Sequence, residues 1–228
     1  MVGYPLARFM KKLKVLIGCE ESQEVCKAFR QLGHEAYSCD IQDCSGGHPE
    51  WHIKADILDV LFNDNVSFYK IPKKWDIFIG HPTCTRLCNS GVMWLDKRNL
   101  WKQMEGSAKF FKRLLNVDID KVCIENPIPH KYALKIIGKK YDQIIQPWMF
   151  GHGETKATCL WLKNLPKLIP TNLVNGRIQR LHRLPPSKDR AKIRSKTYLG
   201  IAKAMAEQWG NLLPLAEQQE GGRLSSHA

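Results

Sequence analysis

Short apolar runs, each closed by a glycine or a polar residue and followed by a longer stretch of helical periodicity, constrain the fold of this chain more than any other feature. The first, KVLIG at 14–18, is followed by SQEVCKAFRQLG, in which Val25, Phe29 and Leu32 share one helical face. Ser22 is placed to cap that helix and Gly33 to end it. HEAYSCD, ending in Asp40, and WDIFIG, ending in Gly80, have the composition of further strands, as do DKVCIENP, YDQIIQPWMFG and TCLWLKNLP. WHIKADIL supplies a third short element with Asp56 near its end, and LWKQMEGSAKFFKRLLN an amphipathic helix. Alternating strands and helices require right-handed crossovers, which put helices on both faces of a mostly parallel sheet. The predicted fold class is α/β.

In such sheets ligands bind outside the carboxyl ends of the strands, so the polar residues there are the candidates for function. Asp40 follows the second strand, where a nucleotide-binding sheet places an acid for ribose hydroxyls. Asp56 would accept from an adenine amino group in the same cleft, although helix capping suits either acid as well. The first strand-to-helix turn, GCEES, has one glycine and two glutamates where a dinucleotide fingerprint needs close approach to phosphate. Two acids repel phosphate and accept a cation, so a sulfonium cofactor with an ammonium group fits this turn better than NAD. Cys84 ends the fourth strand on a His-Pro-Thr-Cys loop, and a thiol in a positive, partly enclosed cleft is a competent nucleophile. Glu125 sits in CIENP, and a carboxylate at a buried strand end is costly unless paired or functional. One thiol and one carboxylate suit attack on an electron-poor ring, with a proton given to a ring nitrogen.

Charge points to the partner. The chain carries a formal net charge of +13, and nine lysines and arginines fall between Arg177 and Lys203 with Asp189 the one acid among them. A polyanion is the expected partner, nucleic acid above all. Arg177, Arg180, Arg183, Arg190, Arg194 and Lys196 are the predicted phosphate contacts, which position without specifying. No apolar run approaches the ~20 residues that cross a bilayer, and the first residues lack a signal-peptide core, so a cytoplasmic protein without a membrane partner is expected. Eight cysteines without framework spacing suit buried thiols in a reducing compartment. Cys39, Cys44, His48 and His52 have a spacing that suits zinc, but Cys39 lies inside a strand and Asp40 beside it is wanted for cofactor, so no metal is expected. Cys88 and Cys123 are expected to be packing residues, and Trp94, Trp101 and Trp161 core. Trp51 and Trp148, beside prolines, are the candidates for base stacking.

The order VLIGCEES, CD at 39–40, ADI at 55–57, DIFIGHPTC and IENP resembles the motif series of the DNA cytosine carbon-5 methyltransferases. The likeness spans roughly residues 13–165, with about forty residues between thiol and carboxylate, and TYLGIAKAMAEQW is similar to the family's last motif. The resemblance implies a Rossmann-like fold and S-adenosyl-L-methionine as cofactor, held by Gly18, Cys19, Glu20, Ser22, Asp40, Ile41, Asp56, Ile57, His81 and Pro82. It implies that Cys84 adds to carbon 6 of cytosine while Glu125 holds ring nitrogen 3 and Asn126 braces the Cys84 loop. Thr83, Thr85 and Lys156 would meet the target base, flipped from duplex DNA or taken from a single strand.

The chain also departs from that family. His81, Thr83 and Thr85 stand where the family's nucleophile loop has glycine, its second proline and glutamine. GETKATCLWL offers Lys156 in place of a Gln-x-Arg-x-Arg segment. The family's large recognition domain shrinks to about twenty-five residues after Pro166, which implies low intrinsic sequence specificity and leaves room for a protein partner in target recognition. The segments expected are an N-terminal extension (1–12), a catalytic and cofactor-binding domain (13–165), a reduced basic recognition segment (166–192), a C-terminal helix packing back (193–213) and a tail (214–228). Two alternatives remain at this stage: a retired methyltransferase frame that binds nucleic acid, and a pyrimidine methyltransferase acting on RNA.

Overall fold

A computed structural model describes residues 11–63 and 70–212, which form seven strands in one sheet and seven α-helices around it. The expected tail (214–228) and all but Lys11 and Lys12 of the expected N-terminal extension lie outside the described residues. In chain order the elements begin β1 (Lys14–Gly18), α1 (Glu24–Gln31), β2 (Glu35–Asp40), β3 (His52–Lys54), α2 (Ile57–Phe62) and β4 (Ile77–Gly80). They continue with α3 (Met93–Lys97), α4 (Trp101–Leu115), β5 (Lys121–Pro127), α5 (Lys131–Ile137), β6 (Gln143–Ile145) and β7 (Thr158–Lys163). Helices α6 (Arg190–Ser195) and α7 (Leu199–Gly210) close the described chain.

The sheet order is β3-β2-β1-β4-β5-β7-β6, and β7 alone runs antiparallel to its neighbours. Every expected strand is present, and the sheet is the mostly parallel α/β sheet that the resemblance implies. Strand order reverses between β1 and β4, the switch point where open α/β sheets leave a crevice for ligands.

Side chains of a strand alternate between faces, and the two cores divide accordingly. Val15, Ile17, Ile77, Ile79, Cys123, Leu160 and Leu162 pack towards α1 and α7, with Phe29, Met205 and Trp209. Leu16, Phe78, Val122, Ile124, Cys159 and Trp161 pack towards α4 and α5, with Phe111 and Leu114. Trp209 is fully buried and its indole N–H donates to Pro166 O at 3.0 Å, which anchors α7 against the sheet. Truncating such a residue to alanine costs about 3–5 kcal/mol. Gly200 brings α7 hard against the 150–152 segment: a Cβ there would overlap Phe150 O.

Several expectations are corrected. Ser22 does not cap α1. Gln23 holds the N-cap position in the left-handed region, and Glu20 supplies the acceptors instead. Helices α2, α3, α5 and α6 are short and carry too few turns to show a period in the sequence. Trp94 is 40% exposed beneath Arg98 rather than in the core. No helix among the described residues is long and apolar enough to cross a membrane.

Candidate active site

Strand register brings the site together. Ile79 of β4 pairs with Cys123 of β5 and Gly80 with Ile124, so the next pair outward is His81 and Glu125. His81 N–H donates to Gly18 O at 2.9 Å, continuing the ladder one residue past the strand. By alternation both side chains fall on the α1–α7 face. There His81 Nδ1 and Glu125 Oε2 lie 2.9 Å apart, both nearly buried. Burial would lower the His81 ring, but the hydrogen bond and charge of Glu125, with Glu20 nearby, raise it on balance. Burial would raise Glu125, and the His81 hydrogen bond with the charges of Lys156 and His81 brings it below the usual range. This pairing escapes a motif reading, although His81 in the place of the family's glycine was its signal.

Cys84 stands on the loop after β4, and that loop is tied to the segment after β5. Asn126 Nδ2 donates to Pro82 O at 2.7 Å, His130 N–H donates to Leu87 O at 2.9 Å, and Asn89 N–H donates to Ile128 O at 3.0 Å. Leu87 and Cys88 N–H both donate to Cys84 O, which turns the chain sharply behind the thiol. The Cys84 thiol is held well above the ordinary range by its hydrogen bond to Cys88, by burial and by the Glu125 carboxylate, with Lys156 opposing. Cys88 is drawn down to about 5 by the hydrogen bond from Cys84, against burial, with help from Ser90 and the Gly91 N–H. Cys88 is therefore no mere packing residue. It is half-buried, 3.2 Å from Ser90 Oγ, and shares a hydrogen bond with Cys84 that lowers one thiol of the pair and raises the other. Cys123 is fully buried, as expected.

Beside Glu125 a small cavity is lined by Lys156, Thr158, Thr197 and Tyr198 and closed by Ile201 and Met205 of α7. Tyr198 O–H donates to Glu154 Oε2 at 2.7 Å, and Arg180 Nε donates to Glu154 Oε1 at 3.0 Å, so α7 is clamped to the segment that carries Lys156. Thr83 and Thr85 are exposed at the mouth of the nucleophile loop, and Pro82 is buried beneath it.

The proposed cofactor residues divide into two sets. Cys19, Asp40 and Asp56 share the cleft at the ends of β1–β3, since burial and then the charges of Asp40 and Asp56 push the Cys19 thiol up to about 12. Asp40 accepts from Gln42 N–H at 2.9 Å, and Asp56 caps α2 by accepting from Leu58 N–H at 2.9 Å. Ile41 is 71% exposed next to Asp40 and offers an apolar face to a planar ring. In contrast, Gly18 is a packing glycine, because a Cβ there would meet Ile57 and Phe78 at 2.8–2.9 Å. Ile57 itself is buried in the α4–α5 core, and Ser22 is buried under the turn. Glu20 is 4% exposed, with its two oxygens accepting from Val25 and Cys26 N–H at 2.7 and 3.2 Å, so it caps α1 from within. Burial raises it to about 7 against the pull of His81 and those two N–H groups. Glu21, the second acid of GCEES and absent from the expected cofactor residues, has both carboxylate oxygens buried without a hydrogen bond among the described residues, and Lys192 Nζ stands 3.9 Å away. A buried carboxylate with unused acceptors after β1, and strand-end aspartates after β2 and β3, suit a ligand with ribose hydroxyls and an ammonium group.

The basic segment is partly turned inward. Arg180 pairs with Glu154 and Lys196 with Glu24 at 2.9 Å, while Arg177 and Arg190 donate to the backbone carbonyls of Val174 and Leu184. Arg183 is exposed and Arg194 half-buried. Neither stacking candidate stands clear: His48 stacks on Trp51 at 3.8 Å, and the Arg177 guanidinium lies 3.9 Å from the Trp148 ring centre. The zinc-spaced residues are spent separately, with the Cys39 thiol donating to Ala55 O and both His52 ring nitrogens bonded, to Ser38 and Gln42.

A thiol loop and a carboxylate on adjacent strand ends, next to an acidic cleft at the switch point, define an α/β protein with a two-part strand-end site. No protein-family model matches the chain, and no curated protein matches it. Similar solved structures are methyltransferases by title. One is described as a DNA modification methyltransferase encoded within a prophage (E. coli), with 15% identity and a TM-score of 0.49 over 77% of this chain and 56% of that one. The Schizosaccharomyces pombe Dnmt2 methyltransferase has 14% identity and a TM-score of 0.42, covering 69% of this chain and 51% of that one. The Entamoeba histolytica methyltransferase EhMeth has 15% identity and a TM-score of 0.39, covering 72% and 58%. The chain thus spans little more than half the length of each.

Proposed function

We propose that this chain is an S-adenosylmethionine-dependent methyltransferase acting on carbon 5 of cytosine in DNA, with low intrinsic sequence specificity. The observation that carries the proposal is the convergence of the Cys84 loop and Glu125 on adjacent strand ends, tied by the Asn126–Pro82 hydrogen bond. Cys84 adds to carbon 6 of an extrahelical base, and its proton passes to the Cys88 sulfur that already accepts it. Glu125 faces ring nitrogen 3 and carries the proton that nitrogen acquires as the ring electrons shift. Lys156, close enough to pull down both Cys84 and Glu125, stabilises the negative charge of the attacking sulfur. Asp40, Asp56, Ile41 and Glu21 would hold S-adenosylmethionine, which supplies an electrophilic methyl group to carbon 5. Loss of the carbon-5 proton to water then breaks the carbon–sulfur bond and returns the Cys84 sulfur, which recovers its proton from Cys88.

Nucleic acid as partner is supported by the net charge of +13 and by exposed Arg183 and Lys188, whereas Arg180 and Lys196 serve the fold first. A protein partner for target recognition fits the short span after Pro166. Eight free cysteines suit a reducing, cytoplasmic setting. The test is transfer of labelled methyl from S-adenosylmethionine to single-stranded DNA, duplex DNA and RNA in parallel. Transfer to DNA that disappears in Cys84→Ser supports the proposal. Transfer to RNA alone supports the RNA alternative, and undiminished transfer by the variant removes Cys84 as nucleophile.

A further inference from the structure

Building on the reaction proposed above, we infer that His81 is a positioning residue that stores, through Glu125, the proton delivered to ring nitrogen 3 of the target base. A cytosine ring nitrogen 3 is an acceptor, so an ionised carboxylate facing it has nothing to donate. Glu125 is such a carboxylate at rest, held ionised by the His81 ring 2.9 Å from its Oε2 and by Lys156. The hydrogen bond places the missing proton on His81 Nδ1, one atom from the carboxylate. Among the described residues His81 Nε2 is buried with no hydrogen-bond partner, so the polar contact of the ring is the one that Nδ1 makes to Glu125.

The groups that face His81 come from three elements. Glu20 comes from the turn after β1, Glu125 from β5, and Lys156 from the segment before β7, with Tyr198, the N-cap of α7, behind Lys156. Two acids and two bases thus share one enclosed space, and a single mobile proton among them need not exchange with solvent during turnover. As the carbon 6–sulfur bond forms, the ring electrons move to nitrogen 3. His81 Nδ1 gives its proton to the Glu125 carboxylate and becomes neutral, and the carboxyl group so formed passes a proton to nitrogen 3. When the carbon–sulfur bond breaks, nitrogen 3 gives the proton back along the same path, so the cycle leaves His81 as it began.

The test uses the rate of covalent adduct formation with a 5-fluorocytosine oligonucleotide, for the full chain and for H81Q, from about pH 6 to pH 9. The ratio of the two rates cancels the ionisation of Cys84. The variant depends on Glu125's own proton, which becomes scarcer as pH rises, so the ratio climbs about tenfold per pH unit and levels above the His81 midpoint. At neutral pH the variant is about a hundredfold slower. A ratio that stays constant with pH overturns the inference, because a purely structural His81 scales the rate without tilting it. Ring nitrogen resonances of His81 in the unaltered protein give an answer even if H81Q folds poorly. A titration midpoint above the ordinary 6.5 is expected, and a midpoint at or below it overturns the inference. If the unaltered protein forms no adduct at any pH, the proposed reaction falls first, and this role falls with it.

Discussion

Asn126 offers a test of the site in which stability and chemistry respond together. Its side chain is 2% exposed, its amide donates to Pro82 O at 2.7 Å, and its Oδ1 is buried without a partner. Asn126→Ala strips Pro82 O of its donor, at about 1–3 kcal/mol, but also removes an acceptor that was already unsatisfied. The net loss is about 1–2 kcal/mol, a fall in Tm of roughly 2–8 °C for a chain of this size. Asn126→Asp keeps the shape but sets a carboxylate against a carbonyl oxygen, which costs about 3 kcal/mol or more when ionised. That carboxyl binds a proton more tightly folded than unfolded, where its pKa is about 3.9. Stability therefore falls as pH rises from about 4 to the folded pKa and is level beyond it. The protonated acid can donate to Pro82 O, so Asn126→Asp resembles the parent near pH 4 and diverges above, whereas the alanine penalty is independent of pH. Thermal unfolding across pH measures the first effect, and adduct formation by Cys84 the second, since both variants loosen its loop. If the two variants track one another at every pH, or if Asn126→Ala leaves Tm and adduct rate unchanged, Asn126 does not brace the loop.

Alkylation with iodoacetamide at neutral pH should label Cys88 well before Cys84 by peptide mass spectrometry, because Cys88 is drawn down to about 5 and Cys84 is pushed up. Equal labelling would show that the two thiols do not share a proton. Glu20, raised to about 7 by burial, keeps its proton folded where the unfolded chain has lost it, so stability declines from about 4.5 to about 7 as pH rises. Glu20→Gln should flatten that limb in chemical unfolding, and curves of the same shape for both proteins would place its ionisation in the ordinary range. Arg183→Ala should weaken binding of single-stranded DNA and reduce the salt slope by about one, and Arg180→Ala should act chiefly on stability through Glu154. Fluorescence anisotropy against salt separates the two, and identical slopes would argue against the division of the basic segment.

The strands were legible because burial on both faces leaves continuous apolar runs such as KVLIG and DIFIG, which need no partner to recognise. Strand order was not legible, since register depends on which run lies beside which, and the His81–Glu125 pair exists only once β4 lies beside β5. The turn GCEES was understood as acidic, yet its two glutamates do different work. Glu20 folds back to cap α1 while Glu21 keeps its acceptors unused, a difference set by a left-handed Gln23 that the residue types do not foretell. The charge count found the basic segment but not its internal partners, because Glu24 and Glu154 lie far from it in sequence. Cys88 was passed over for a similar reason. Its spacing from Cys84 suits a helix face or a loop alike, and the tight turn in which the Cys88 N–H donates to Cys84 O appears only in the folded chain.

The proposed function stands or falls on attack by Cys84 at carbon 6 of cytosine in DNA. Incubation with S-adenosylmethionine and a 5-fluorocytosine oligonucleotide, followed by protease digestion and mass spectrometry, tests it most directly. A stable adduct is expected on the peptide containing Cys84, retained in Cys88→Ser at reduced rate and absent from Cys84→Ser. An adduct mapped to Cys88, or one that survives Cys84→Ser, would contradict it.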